Sequence, residues 1–507
     1  MGITSGSLMV DLIGVFVALV AVIYAYFKWS YQYWNNRNVP YLEPTIPFGS
    51  LENAFNKKFS ESEWTVKIYT EAKSKSSKYC GMYIMTTPNL LILDMELLKK
   101  VLTKDFTHFT DRGIYVNEKD DPLSAHLFTI GGTKWKTLRT KLSPTFTSGK
   151  LKAMIQTLMD AGVILENHFL ENVNTKDAID IKDVLARFTT DIIGSCAFGI
   201  ECNSFKEPDS PFRRYGKRAL ELNKLELVKN AFNQNFKVVA RALGSTVVNA
   251  DVSKFFMKVV EDVVAYRKEN QIVRKDFLQL LIDMKKRYEE DGLGDQLTMN
   301  ELAAQCFVFF LGGFETSSTT MTFALFELST HQDIQDKARE EIKAVLAKHD
   351  NKMTYDSLSE MKYLKQVIDE TLRKYPPVPF ITRECVKEYK VPDDNLTIEK
   401  GIICTIPIRG IHYDEKYFEN PNEFNPHRFS EDNKKTRHPY SHLPFGEGPR
   451  VCIGERFGIM QIKIGLASIL KNFNVKLHEK TNLPLKMDVS SFVPNTDGAI
   501  WLSMENI

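Results

Sequence analysis

The chain has 507 residues, 43% hydrophobic and 26% charged, a balance that supports a sizeable core and excludes a disordered or fibrous polymer. A formal charge of +2, with no basic arm and no aromatic-basic array, argues against a nucleic-acid partner. The 7 cysteines are odd in number and lack C-x-x-C spacing, so they indicate neither a disulfide framework nor a zinc cluster and read as reduced thiols.

From Leu8 to Phe27 the sequence is apolar apart from Asp11 and reaches the roughly twenty residues a helix needs to cross a bilayer core. Trp29, Tyr31, Tyr33 and Trp34 follow as an interfacial aromatic belt, with Lys28 and Arg37 on the same side. Because the positive side stays in the cytosol, residues 1–34 are expected to form a single-pass anchor, and residues 35–507 one domain facing the cytosol. A cleaved signal peptide is the competing reading, but no cation precedes the apolar run and no small-residue cleavage site follows it. The sequon Asn395-Leu396-Thr397 matters only for a lumenal domain.

Beyond Pro40, Pro44 and Pro47, helical periodicity dominates, with strand-like runs near 81–94, 380–407 and the C-terminal end. The expected class is mainly α with small β-sheets, undivided by linker or repeat. Trp135 and Arg139, four apart, share a helical face. Thr298-x-x-Glu301 is a capping box opening a helix through about 330. In its middle stand Gly312 and Gly313, which cost about 1 kcal/mol each relative to alanine. Such a cost calls for a partner packed on bare backbone or a helix that opens locally. Ser357-x-x-Glu360 reads as a second box, opening a helix stopped by Pro376-Pro377 on which Glu370 and Arg373 share a face.

Near the C-terminus, the glycine-rich stretch from Phe445 through Gly446, Gly448, Arg450 and Cys452 to Gly454 delivers one thiol to the start of a helical run, Glu455 to Asn472. Backbone N–H groups around a helix start stabilise a thiolate. The loop lacks the lysine and Ser/Thr of a P-loop and the spacing of a dinucleotide fingerprint.

This loop resembles the haem-binding signature of the cytochromes P-450, Phe-x-x-Gly-x-Arg-x-Cys-x-Gly, with every specified position filled. Glu370-x-x-Arg373 is similar to the family's Glu-x-x-Arg pair, Pro426-His427-Arg428-Phe429 to its Pro-x-Arg-Phe segment, Trp135 to Arg139 to its Trp-x-x-x-Arg helix, and Gly312 to Thr316 to its Ala/Gly-Gly-x-Asp/Glu-Thr element. The motifs fall in family order from about 135 to 454, and the nearest likeness is to the insect microsomal branch associated with detoxification.

The resemblance implies the P-450 fold, with haem b between a long central helix and the cysteine loop. Cys452 would be the axial iron ligand, beside Phe445. Arg450, Trp135, Arg139 and Arg383 would hold the propionates, and Gly446, Gly448 and Gly454 would shape the loop. Glu370, Arg373 and Arg428 would form a structural triad. Gly313 would leave room for dioxygen, and Glu315 and Thr316 would relay protons to it, while the thiolate favours O–O cleavage. A lipophilic pocket is expected around Phe106 to Val116, Phe307, Phe310, Phe380, Ile381 and Phe492.

With no flavin or nicotinamide fingerprint in the chain, electrons would come from NADPH through a separate NADPH-cytochrome P-450 reductase, aided by cytochrome b5, at the endoplasmic reticulum membrane. Lys134, Lys136, Lys141, Arg456 and Lys463 are the candidate docking cations. The expected activity is a monooxygenase inserting one atom of O2 into a lipophilic xenobiotic or endogenous lipid. An electron-independent haem-thiolate isomerase or dehydratase, and a non-catalytic haem- or lipophile-binding protein, are the alternatives.

Overall fold

The computed structural model describes residues 8–50, 58–172, 178–221, 223–290 and 297–507. The elements that position the site are, in chain order, helix α1 (Leu8–Ser30), strands β1 (Tyr79–Ile84) and β2 (Thr87–Ile92), helices α2 (Gly132–Leu142), α3 (Ser148–Asn172), α4 (Ile181–Ile193), α5 (Lys224–Asn235), α6 (Lys237–Ala242), α7 (Ala250–Glu269), α8 (Met299–Thr330) and α9 (Lys362–Lys374), strands β3 (Ile381–Glu384) and β4 (Ile403–Ile406), and helix α10 (Glu455–Leu470).

The 32-residue α8 is the axis of the molecule. Its start is fixed as the sequence predicts: Thr298 Oγ1 accepts from the Glu301 N–H at 3.2 Å, and the Glu301 carboxylate accepts from the Thr298 N–H at 2.9 Å. Helices α4, α7, α9 and α10 bury their apolar stripes around it in one continuous core. Burying a leucine or phenylalanine there contributes about 1.5–3 kcal/mol each.

The second expected capping box is displaced. Ser357 is the third residue of a short helix, Tyr355–Glu360, capped by Thr354, and Glu360 is that helix's last residue. Helix α9 begins two residues later, and its free N–H groups at Tyr363 and Leu364 donate to the Glu341 carboxylate at 2.7 and 2.9 Å. A carboxylate from a neighbouring helix does the work expected of a local cap.

A four-stranded sheet, ordered β1-β2-β4-β3, carries a second core. The β1/β2 and β4/β3 pairs are antiparallel and β2/β4 is parallel. Helix α1 is apolar, exposed along almost its whole length, and fits a membrane anchor. The aromatic belt expected beyond it needs correction. Trp29 is 73% exposed, but Tyr31 and Trp34 are buried in the sheet's core, at 5% and 2%. The Trp34 ring lies on β1, where Gly81 offers a flat, side-chain-free seat, and the Tyr31 ring packs on Tyr83 of the same strand.

Candidate active site

The cysteine loop is shaped by short backbone bonds and two left-handed glycines. Gly446 N–H donates to Leu443 O, Val451 N–H to Gly448 O, and Cys452 N–H to Phe445 O, at 2.9–3.0 Å. Gly446 and Gly448 take φ of +73° and +77°, and a Cβ at 448 would lie 2.0 Å from the Leu102 carbonyl oxygen, so only glycine passes there. Six cysteines are buried; Cys452 is exposed. Its thiol lies within reach of the Arg139 and Arg112 charges. Burial pushes the Cys452 thiol up, while the Gly454 N–H and the Arg139 and Arg112 guanidiniums pull it down.

Four arginines gather near this thiol: Arg112 and Arg139 act on it directly, and Arg383 and Arg450 act on Arg112. Arg450, from the loop itself, is buried over the Trp135 ring at 4.1 Å and gives Nη2–H to Ile130 O at 2.8 Å. Arg383, on β3, is fully buried with one bond, Nη1–H to Thr382 O at 2.8 Å. Arg139 is held on α2, one turn from Trp135. Arg112 donates to Phe128 O at 3.2 Å and Arg450 O at 3.3 Å. Sequence reasoning missed Arg112, which stands in no motif; its only local signal is a cation beside an aromatic run.

Burial pushes Arg383 down to about 10 and Arg450 down to about 9, the latter aided by Arg383. Arg112 is pushed down by burial and then by Arg383 and Arg450. Arg112 Nε, Arg383 Nε and Nη2, and Arg450 Nη1 are buried donors without an acceptor. Unpaired buried donors cost about 1–3 kcal/mol each. The nearest carboxylate, Asp111, lies 3.7 Å from Arg450. A group bearing two carboxylates would answer this donor set, with these arginines and Trp135 holding it beside Cys452, and haem has that chemistry.

Behind the loop, Glu370 and Arg373 form a fully buried bidentate pair at 2.7 and 2.9 Å. Arg428 Nε and the Asn425 N–H reach Glu370 at 3.3 and 2.9 Å, so its carboxylate is saturated. His412, absent from the sequence reading, joins this pair to the loop: its Nε2 accepts from the Leu443 N–H at 3.0 Å and its Nδ1–H donates to Arg373 O at 3.1 Å. Its own carbonyl accepts from Arg373 Nη1 at 3.0 Å. The ring is therefore the neutral Nδ1–H tautomer, and burial, then His442, hold its pKa well below the ordinary histidine value.

On α8 the two glycines have different surroundings from those expected. A Cβ at Gly313 would lie 2.6 Å from Ile193 Cδ1 on α4, so the bare side of Gly313 is filled by a neighbouring helix. Gly312 is the one facing open space. Thr316 Oγ1–H donates to Gly312 O at 2.5 Å. Glu315 pairs with Lys182 of α4 at 2.9 Å in a polar recess of about 460 Å³ that also holds Asp180, Asp183 and Arg213. The two proposed relay groups thus have separate partners.

The expected substrate residues divide. Phe380, Ile381 and Phe492 line an apolar pocket of about 680 Å³ with Arg112, Phe128, Phe236 and Val239. Phe307 and Phe310 do not: both are buried in an aromatic cluster with Phe256, and Phe310 stacks on Phe314 with centroids 5.5 Å apart. Phe106 packs against Trp135 at 5.7 Å, and Val116 packs on the main core. Among the docking cations, Lys463 is buried, gives Nζ–H to Leu358 O, and is pushed down to about 8 by burial; Lys134 is paired with Glu118 and Glu301. Lys136 and Arg456 remain exposed.

A family model described as "Cytochrome P450" matches residues 48–502. The chain is 42% identical over 505 residues to "Cytochrome P450 6a9" of Drosophila melanogaster, covering 97% of this chain and 100% of that protein. It is also 42% identical over 507 residues to "Cytochrome P450 6A1" of Musca domestica, covering 99% and 98%.

Proposed function

Because this chain belongs to the cytochrome P450 family, we propose that it is a membrane-bound monooxygenase that takes electrons from NADPH through a separate reductase and inserts one atom of O2 into a lipophilic substrate. The observation that carries the reading is the convergence of an exposed thiol and buried, acceptor-poor guanidiniums in one region of the fold. When bound, haem would supply dioxygen activation, which no side chain performs. Cys452 would hold the iron, and Arg112, Arg139, Arg383, Arg450 and Trp135 would fix the propionate edge.

The protein's own groups do the rest. Thr316 presents a hydroxyl on the open face of α8, one turn from Gly312, where it can hold a proton-donating water. Glu315, paired with Lys182, lines the polar recess next to Thr316 in sequence. The apolar pocket supports a lipophilic substrate. Of its lining residues Phe236, Val238 and Val239 are exposed, and Val228, Phe232 and Leu243 nearby in the chain extend an apolar surface suited to lipid, as at the endoplasmic reticulum. Lys136 and Arg456, on the cysteine side, suit an acidic reductase.

The test is the carbon monoxide difference spectrum of the reduced, haem-loaded protein. A strongly red-shifted Soret band is expected and should vanish in Cys452→Ser. A band at the position of histidine-ligated haem would overturn the assignment.

A further inference from the structure

Helix α1 does not hang from the domain by a loose tether. Its hydrogen bonding continues past Ser30 through Tyr31 N–H to Phe27 O, Gln32 to Trp29, Asn36 to Gln32 and Arg37 to Trp34, at 2.9–3.1 Å. The first left-handed residue is Asn38, at φ +54°. The segment before it is seated on the sheet. Trp34 Nε1–H donates to Met82 O at 3.1 Å, and its ring lies so close to Gly81 that a Cβ there would meet Cγ at 2.5 Å. Tyr83 Oη accepts from the Trp34 N–H at 3.1 Å and donates to Tyr31 O at 2.9 Å. On the outer side, Glu399 takes Tyr33 Oη–H at 2.9 Å and pairs with Arg37, whose guanidinium covers the Tyr33 ring at 3.7 Å.

Strand β1 leads from this seat to the β1–β2 turn. There Thr87 Oγ1–H donates to Asn235 Oδ1 at 2.7 Å, which ties the turn to the last residue of α5. Ile84, Thr87, Phe236, Val238 and Val239 line the rim of the 680 Å³ pocket. Membrane helix, Trp34 seat, β1 and pocket mouth are therefore one mechanically continuous unit.

We propose that Trp34 is a positioning residue that fixes the angle between the membrane helix and the domain, so that the pocket mouth is held against lipid and membrane-dissolved substrates are favoured over water-dissolved ones. This rests on the membrane reading above. A rigid helix whose end is pinned by buried aromatics, Trp34 the most deeply set, transmits orientation; a flexible linker of the same length would sample many orientations.

The experiment places full-length, haem-loaded protein in phosphatidylcholine nanodiscs and reads the tilt of the haem by linear dichroism. The natural chain should show one narrow tilt. Trp34→Ala should broaden or shift it, Trp34→Phe should largely restore it, and the surface variant Glu399→Gln should loosen it without touching any buried group. All should keep the carbon monoxide spectrum and peroxide-driven turnover. KM for a strongly lipid-partitioned probe ether should rise several-fold at unchanged kcat, while KM for a water-soluble one stays put. An unchanged, narrow tilt in both Trp34→Ala and Glu399→Gln would overturn the proposal; if Trp34→Ala loses haem, Glu399→Gln decides alone. A tilt already disordered in the natural chain would also overturn the proposal, whereas failure of the natural chain to enter the nanodiscs would overturn the membrane reading beneath it.

Discussion

Gly312→Ala and Gly313→Ala make the same chemical change one residue apart and should have different outcomes. At each position alanine recovers about 1 kcal/mol of helix propensity. At 312 the new methyl meets nothing within 4 Å, so the whole gain is expected. At 313 it lies 2.6 Å from Ile193 Cδ1 and 3.1 Å from Cγ1. Overpacking costs about 1–3 kcal/mol, and the lower part of that range applies where the nearest atom is the tip of a side chain. Gly313→Ala should therefore end neutral or about 1 kcal/mol less stable, and the two variants should differ by about 1–2 kcal/mol. Denaturant unfolding of the two loaded proteins, side by side, measures the difference. Ile193→Val removes the clashing atom, so a double-mutant cycle with Gly313→Ala should show favourable coupling of at least about 0.5 kcal/mol. Only Gly312→Ala should alter ligand-induced spectral shifts. Equal stability of the two variants together with zero coupling to Ile193→Val would refute the assignment of Gly313 to helix packing.

Thr316→Ala should retain haem yet divert NADPH electrons to peroxide, measured as peroxide formed per NADPH consumed; unaltered coupling would remove Thr316 from proton delivery. Glu370→Gln leaves Arg373 and Arg428 short of a buried counter-charge and should cost about 3–5 kcal/mol, seen as poor haem incorporation on expression. Lys463 is depressed to about 8 from an ordinary 10.5, so the unfolded chain binds the extra proton between those values and stability should rise as pH climbs from about 8 to 10.5. Lys463→Met should flatten that slope and raise stability below pH 8 by about 2–3 kcal/mol; an identical slope in the variant would show that another group titrates.

The parts of the site that could be read from the sequence are those whose geometry is local. The Cys452 loop depends on glycines four and six residues before the ligand, and Glu370 meets Arg373 within one helical turn, so spacing alone reveals them. Periodicity, by contrast, names the members of a helix face but not its neighbour. Gly312 and Gly313 look equivalent in sequence, and Ile193, more than a hundred residues away, decides which is packed and which is open. Phe307 and Phe310 carry the same apolar character as Phe380 and Phe492, and only the placement of α7 separates core from pocket. Trp34 follows a membrane helix in a pattern that fits an interface, until Gly81 on a distant strand provides its seat. Arg112 and His412 belong to no local pattern, and their roles arise from three-dimensional convergence.

The ring of His412 joins the carbonyl of Arg373 to the backbone of the cysteine loop with both nitrogens committed, one giving and one receiving. A second proton on Nε2 would set an N–H against the N–H of Leu443 at a fully buried position. Acidification therefore has no foothold at this joint: the imidazole acts as a fixed strut, and the span between the buried ion pair and the cysteine loop keeps one length through pH changes that would switch a more accessible histidine.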